Sequence, residues 1–438
     1  MPQPTAHTPK TDAAAPAVAL CEVRMDQQMT DVAVAAVADG VSNLSLDRRT
    51  LLLGAAGALA AVGLGADPVR AAEYARSVAG RHHRRFDPGL AHQLQQALRG
   101  AHRDPSTHFP GAILHVDGAK LGAWTGEIGL GRIAPPVAMR STDRFRAGSI
   151  MKPFVSVVVL QLAERGRISL DAPLPHVLPA SVAGRFANAA GTSVRMLLGH
   201  RSGIPEWVTP AVIDKITHHP TKVWKIGEIL DLAAAQPPMF LPGTGYSYSN
   251  TNYNLLGLII EHLTGHSWRH EVSTRVISPL GLTRTALPAA GDPSVIGHHA
   301  HAYGEVDGRE VDFTGVDPSM AGAAGGAALV TTVQDTARFL EALLSGSLFR
   351  RRYTLRQMLA FAPAPDVGGQ VGYGLGIERR LLPGGVEAIG HLGISVGYCA
   401  FVARLRPLGV TMSLALNWAD DPTPLLVPAL RALAATHR

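Results

Sequence analysis

From Val155 to Leu162 the chain is apolar at nearly every position. A helix with no polar face is stable only with protein packed on all its sides, so the rest of the fold must wrap around this segment. The residues leading into it are Phe145-Arg146-Ala147-Gly148-Ser149-Ile150-Met151-Lys152-Pro153-Phe154, and Ser149 is the only serine followed by a lysine three residues on. Positions i and i+3 of a helix share a face, about 5 to 6 Å apart at Cβ, so Ser149 and Lys152 can share one site. A serine hydroxyl is a weak nucleophile until a neighbour takes its proton, and a lysine under apolar cover can lose its own charge. Gly148 admits close backbone approach, and Pro153 is tolerated in a first helical turn. The helix start offers free N–H groups and the positive dipole end to a developing oxyanion. Taken alone, the pattern fits an ordinary surface Ser and Lys equally well.

A hydrophobic share of 46% against 17% charged residues is ample for a core and excludes global disorder. The length suits one large α/β domain or two subdomains sharing a cleft. The formal charge of +6 comes mainly from arginine. Without a basic aromatic module it implies weak attraction to an anionic wall or membrane surface and no nucleic-acid partner. Cys21 and Cys399 cannot form a disulfide framework, and Cys399 reads as a small buried hydrophobe in a strand.

Residues 1–43 read as a disordered extension, with Met25 and Met29 as alternative starts. Over 44–72, the Arg48-Arg49 pair, an apolar run to Ala66 and small residues at Ala71-Ala72 resemble a twin-arginine signal, which predicts export. The run is shorter than the ~20 residues a membrane span needs. Residues 73–107 read as a linker with the basic cluster Arg81 to Arg85 and a helix from Leu90 to Leu98. A catalytic domain then runs over 108–438. It begins with a hairpin (Pro110–Gly118, Leu121–Gly131) and continues through a mostly helical lobe over about 167–325, with helices at Val194–Leu198, Ile226–Ala235 and Tyr253–Leu263. Thr332 and Asp335 resemble a capping box. Strands follow at Gly372–Ile377, Ala400–Leu405 and Val410–Leu416, then an amphipathic segment, Leu425–Leu433. The predicted class is α/β (α+β), with an antiparallel sheet built from both ends of the chain, flanked by helices, plus the helical lobe.

Two further stretches carry chemistry. Tyr246-Ser247-Tyr248-Ser249-Asn250 holds the only Tyr-x-Asn, and in an extended loop Tyr248 and Asn250 point the same way. Beside a lysine ammonium and a second cation a phenolate becomes accessible, so Tyr248 can move the Ser149 proton to a leaving group. Asn250 offers a donor and an acceptor, suited to Lys152 and a substrate amide. Gly390-His391-Leu392-Gly393-Ile394-Ser395-Val396-Gly397-Tyr398 holds the only His-x-Gly. Its glycines let a ligand lie along the strand, and the Ile394 N–H can join that of Ser149 in an oxyanion hole. As single features, a loop tyrosine with a capping asparagine and a packed strand histidine are the plainer readings. His298-His299-x-His301 lacks a zinc-site pattern and reads as a mobile loop, and Ser202 reads as a turn residue.

Together, SxxK, YxN and HxG in this order resemble the serine penicillin-recognising hydrolases, in the branch of class C β-lactamases, D-alanyl-D-alanine carboxypeptidases and related esterases. The resemblance covers about 108–435 and includes Leu197 to Ile204, Pro279 to Leu282 and Gly325-Gly326. It implies a β-lactamase/transpeptidase-like fold and an acyl-enzyme on Ser149, with Lys152 as activator, Tyr248 as shuttle, Asn250 as anchor and His391 as a cation-capable neighbour of Tyr248. It implies no metal or cofactor. The substrate it implies is a peptide, ester or β-lactam, foremost a D-Ala-D-Ala peptide of the cell wall, cleaved by a monomer. An esterase or β-lactamase on the same scaffold is the alternative, and a non-catalytic wall-fragment-binding protein a further one. The family usually carries hydroxyl residues where Leu392 and Ile394 stand, which help hold a terminal carboxylate. Arg379 or Arg380 could then supply the missing cation beside Gly393, and a neutral ester or amide gains credibility.

Overall fold

The computed structural model describes residues 84–436 apart from 321, 325–326 and 367–368. The expected extension, the export signal, Arg81 to His83 of the basic cluster and the Gly325-Gly326 pair lie outside the described residues.

The apolar segment forms helix α2 (Met151–Glu164), and every residue from Met151 to Leu162 is buried. A short 3-10 turn, Gly148–Ile150, leads into it. This turn lies against Val386–Ser395 and Tyr398–Leu405, two strands of a nine-stranded antiparallel sheet. Its strands, in chain order, are β1 (Gly111–Gly118), β2 (Gly122–Arg132), β3 (Val137–Ala138), β8 (Ala362–Asp366), β9 (Gln370–Tyr373), β10 (Glu378–Leu382), β11 (Val386–Ser395), β12 (Tyr398–Leu405) and β13 (Val410–Leu416). The intervening numbers belong to two short pairs: β4 (Phe145–Arg146) with β7 (Val330–Thr331), and β5 (Tyr303–Val306) with β6 (Arg309–Asp312). The sheet order β3-β2-β1-β13-β12-β11-β10-β9-β8 puts the last strand, β13, between β1 and β12. Both ends of the catalytic domain therefore build the middle of one sheet.

Strand periodicity sorts the side chains between two cores. Ile113, Ala400, Val402 and Ala415 face the core around α2. Their neighbours Ala112, Leu114, Phe401, Leu414 and Leu416 face a second core. That second core is closed by α1 (Pro88–Arg103) and the terminal helix α10 (Thr423–Ala435). α1 starts on Asp87, whose carboxylate accepts the Leu90 N–H, and buries Leu90, Leu94 and Leu98 at helical spacing.

Helices α3 (Val194–Leu198), α4 (Pro210–His218) and α5 (Ile226–Ala234) share the core around α2, which itself meets α6 (Asn250–Thr264) and α7 (Trp268–Val272). Two more helices, α8 (Val333–Ser345) and α9 (Arg352–Met358), return the chain to the sheet. The Phe339 ring of α8 stacks on Phe154 of α2.

The mostly helical region also holds the β5–β6 hairpin. Two expectations are corrected. The strand expected over Gly372–Ile377 stops at Tyr373, because Gly376 turns with φ +84 and lies against Ser156 and Tyr253, where a Cβ would collide. Thr332 caps α8 through the Asp335 N–H, but the Asp335 carboxylate turns to Arg284 N and Thr285 instead of closing a capping box.

Candidate active site

Gly148 has φ +56, and a Cβ there would sit 2.4 Å from the Ile394 carbonyl oxygen. A Cβ on Gly393 would sit 2.1 Å from the Ala147 carbonyl oxygen. These two glycines let β11 lie backbone to backbone against the turn that carries Ser149. The Leu392 N–H donates to Glu378 at the β10 edge. By the two-residue repeat of a strand, the Ile394 N–H leaves the same edge. Paired β10 residues end opposite Gly390, so at Ile394 that edge faces Gly148 and Ser149. This is the placement an oxyanion hole needs.

Lys152 is fully buried, and its Nζ donates to Ser149 Oγ at 2.9 Å and to Asn250 Oδ1 at 2.7 Å. The same nitrogen lies 4.7 Å from the centre of the Tyr248 ring. Burial pushes the Lys152 ammonium down to about 7, against the opposing pull of Glu206 and Glu378. The Tyr248 hydroxyl is hydrogen-bonded to Ser149, and burial holds its pKa well above the ordinary phenol value. In place of the accessible phenolate expected from the sequence, burial keeps Tyr248 a neutral phenol, and the Lys152 amine is brought near neutrality.

Asn250 is the first residue of α6 rather than part of an extended loop. Its backbone N–H and its side chain both bond Glu206. Desolvation pushes the Glu206 carboxyl up to about 7, although the N–H groups of Asn250 and Val208 and the charge of Lys152 draw it down. The loop before Asn250 is set by His200, which has φ +56, is fully buried and accepts the Ser249 N–H on Nδ1. Its ring packs 4.3 Å from that of Tyr248.

His391 is tied into the site through Tyr373. The Tyr373 hydroxyl is 3.0 Å from His391 Nε2, and the Tyr373 ring stands edge-on to Tyr248. Nδ1 of His391 lies 2.5 Å from the Leu392 carbonyl and 3.3 Å from Glu378. This assigns the proton to Nδ1 and leaves Nε2 to accept the phenol proton. Burial, with Lys152 and Arg380 nearby, pushes His391 down to about 4 despite Glu378. The imidazole, expected as a cation-capable neighbour of Tyr248, is therefore neutral at neutral pH.

The two arginines are committed elsewhere. Arg379 is exposed and paired with Glu387 at 2.8 Å. Arg380 is buried and paired with Glu378 at 2.7 Å. Burial raises the Glu378 carboxyl, but Arg380, His391 and the Leu392 N–H bring it below the ordinary value. The Leu392 side chain lies in the α1/α10 core and Ile394 packs against it, so neither side chain points at the acyl site. His299 Nδ1 contacts the Gly297 carbonyl, and His301 is paired with Asp312. Ser202 donates to Asn252 and accepts the Ile204 N–H.

A sequence profile described as "Beta-lactamase" matches residues 71–436. The chain belongs to the beta-lactamase family. Among curated relatives, penicillin-binding protein 4* of Bacillus subtilis is 24% identical over 324 residues, covering 72% of this chain and 69% of the relative. Penicillin-binding protein 4 of Amycolatopsis lactamdurans is 31% identical over 199 residues, and the match spans about half of each protein, 45% of this chain and 48% of that one. Among solved structures, a D-stereospecific amidohydrolase from Streptomyces sp. is 32% identical with a TM-score of 0.68, covering 76% of this chain and 97% of that one. The D-amino acid amidase of Ochrobactrum anthropi, complexed with D-phenylalanine, is 26% identical with a TM-score of 0.68, covering 80% and 99%. The fold and the serine hydrolase class follow from this membership.

Within this beta-lactamase-family site, Glu206, Tyr373 and Glu378 were not singled out in sequence. Glu206 follows the stretch Leu197 to Ile204 by two residues, and that proximity was the one available signal. Tyr373 and Glu378 are brought in by the β9–β10 pairing, which no local spacing encodes.

Proposed function

We propose that the protein is an exported serine amidohydrolase that cleaves the amide of a D-configured amino acid, releasing an uncharged amine through an acyl-enzyme on Ser149. The observation that carries the hydrolytic reading is the Lys152 nitrogen shared between Ser149 Oγ and Asn250 Oδ1 in a water-poor setting. In its neutral form the amine accepts the Ser149 proton as Oγ attacks the substrate carbonyl. The Ser149 and Ile394 N–H groups receive the oxyanion. As the C–N bond breaks, Tyr248 gives its proton to the leaving nitrogen and recovers one from the Lys152 ammonium. Water then cleaves the ester, giving the acid and free Ser149.

The leaving-group side supports a substrate without a terminal carboxylate. A carboxypeptidase has to hold a free terminal carboxylate, and the two arginines considered for that task are paired with Glu387 and Glu378. The D-configuration is supported by the names of the Streptomyces and Ochrobactrum proteins. D-Ala-D-Ala carboxypeptidase activity is the second reading, favoured by the likeness to penicillin-binding protein 4*.

The deciding experiment compares kcat/KM for D-phenylalanine amide, its L-enantiomer and a D-Ala-D-Ala peptide, with intact mass recorded during turnover. We expect preference for the D-amide and an acyl adduct that is lost in Ser149→Ala. Preference for the peptide would move the assignment to the carboxypeptidase, and an adduct persisting in Ser149→Ala would remove the acyl-enzyme. Intact mass of secreted protein beginning after Ala71 or Ala72 supports export, and an uncut chain retained in the cell opposes it.

A further inference from the structure

Helix α6 also lines a half-open cavity of about 210 Å³, whose walls include Trp224, Ile229, Leu258 and Trp268. Asn254 faces it from α6, one turn beyond Asn250. Asn254 is 1% exposed, and among the described residues neither its Oδ1 nor its Nδ2 has a hydrogen-bond partner. Native proteins rarely leave a buried primary amide unmet at both ends. The space in front of it is kept open by Gly322, where a Cβ would come within 2.9 Å of Asn254 Oδ1.

The chemistry of the lining restricts the ligand. An asparagine presents an acceptor and a donor side by side, and another carboxamide presents the complementary pair. A carboxylate would satisfy Nδ2 and face Oδ1 with like charge. The two charged groups at the cavity offset each other: Glu261, which accepts the Trp268 backbone N–H, acts on Arg269, whose Nε donates to the Pro288 carbonyl and whose guanidinium lies over the Trp268 ring. An apolar cavity of about 150 Å³ takes up benzene, so this one has room for a ring and a carboxamide.

We propose that this cavity binds a small uncharged amide with a ring-sized apolar body, its carboxamide paired with Asn254 and its body against the indoles of Trp224 and Trp268. None of the residues lining this cavity belongs to the Ser149–Lys152 centre, and the proposal stands whichever substrate that centre cleaves.

The test is calorimetric titration of the full chain with benzamide, in a Ser149→Ala background so that the probe is not consumed. Saturable one-site binding is expected, with benzoate roughly tenfold weaker or worse. Asn254→Leu removes the amide, and Leu258→Trp fills the cavity from a half-buried position; each is expected to weaken benzamide at least about tenfold. Where Asn254→Leu fails to fold, Leu258→Trp decides. No binding at millimolar benzamide means that water alone occupies the cavity and overturns the proposal. Unchanged affinity in Leu258→Trp places the probe elsewhere and overturns it as well.

Discussion

Lys152 and Glu206 face the same difficulty from opposite sides: each has lost the water that would stabilise its charge, and both are brought to about 7. Attack by Ser149 requires the amine, so the acid limb of the kcat/KM profile should rise with an apparent pKa near 7 that belongs to the coupled pair. Glu206 acts on Lys152 to raise its pKa. Glu206 meets the Val208 and Asn250 N–H groups with separate oxygens, so Glu206→Gln keeps an acceptor for one of them and removes the negative charge. The expected result is therefore an acid limb moved to lower pH, with the protein still folded, read from pH–rate profiles of wild type and variant. A limb that stays in place or moves upward would show that Glu206 positions Asn250 without setting the amine. Neither role is legible in the sequence. The serine–lysine spacing announces a nucleophile with its activator, whereas the desolvation that makes lysine a base, and keeps Tyr248 a neutral phenol, arises only when α2, α6 and β11 close around them.

At the scale of elements, strand β11 brings its backbone, rather than its side chains, to the nucleophile. Gly393 touches the Ala147 carbonyl so closely that a methyl group would force the strand away by displacing backbone on both sides. Gly393→Ala should thus separate the Ile394 N–H from the Ser149 N–H while most of the sheet stays paired. Losing one oxyanion donor costs on the order of 10²–10³ in rate. The check is single-turnover acylation measured beside circular dichroism; unchanged acylation in a folded variant would contradict this geometry. The elements with strong periodicity were readable in advance: the β1–β2 hairpin, β12, β13, α2 and the terminal helix all lie where alternation or an apolar face put them. What escaped was set by tertiary contact. Asn250 joins α6 because Glu206 and His200 fix the preceding loop, and the chain leaves strand geometry after Tyr373 because Ser156 and Tyr253 occupy the space at Gly376.

At the scale of the whole molecule, the first two strands and the last strand of the sheet in chain order meet at Asn417. Its Oδ1 accepts the Gly111 N–H at 2.7 Å, its Nδ2 donates to the Leu130 carbonyl at 3.0 Å, and its own N–H donates to the Gly111 carbonyl. One buried side chain just past β13 thereby fastens the start of β1 and the end of β2. Asn417→Ala leaves a buried N–H and a carbonyl without side-chain partners, each costing about 1–3 kcal/mol when unmet. The variant is expected to unfold at lower urea concentration with an unchanged m-value, because the surface exposed on unfolding is the same. Ser149, Lys152 and Asn250 are placed by α2 and α6, so kcat below the transition should stay near wild type. Loss of kcat without loss of stability would instead mean that the β1–β13 seam acts on the acyl site. An unmoved urea midpoint would mean that the strand ladder alone holds these strands together.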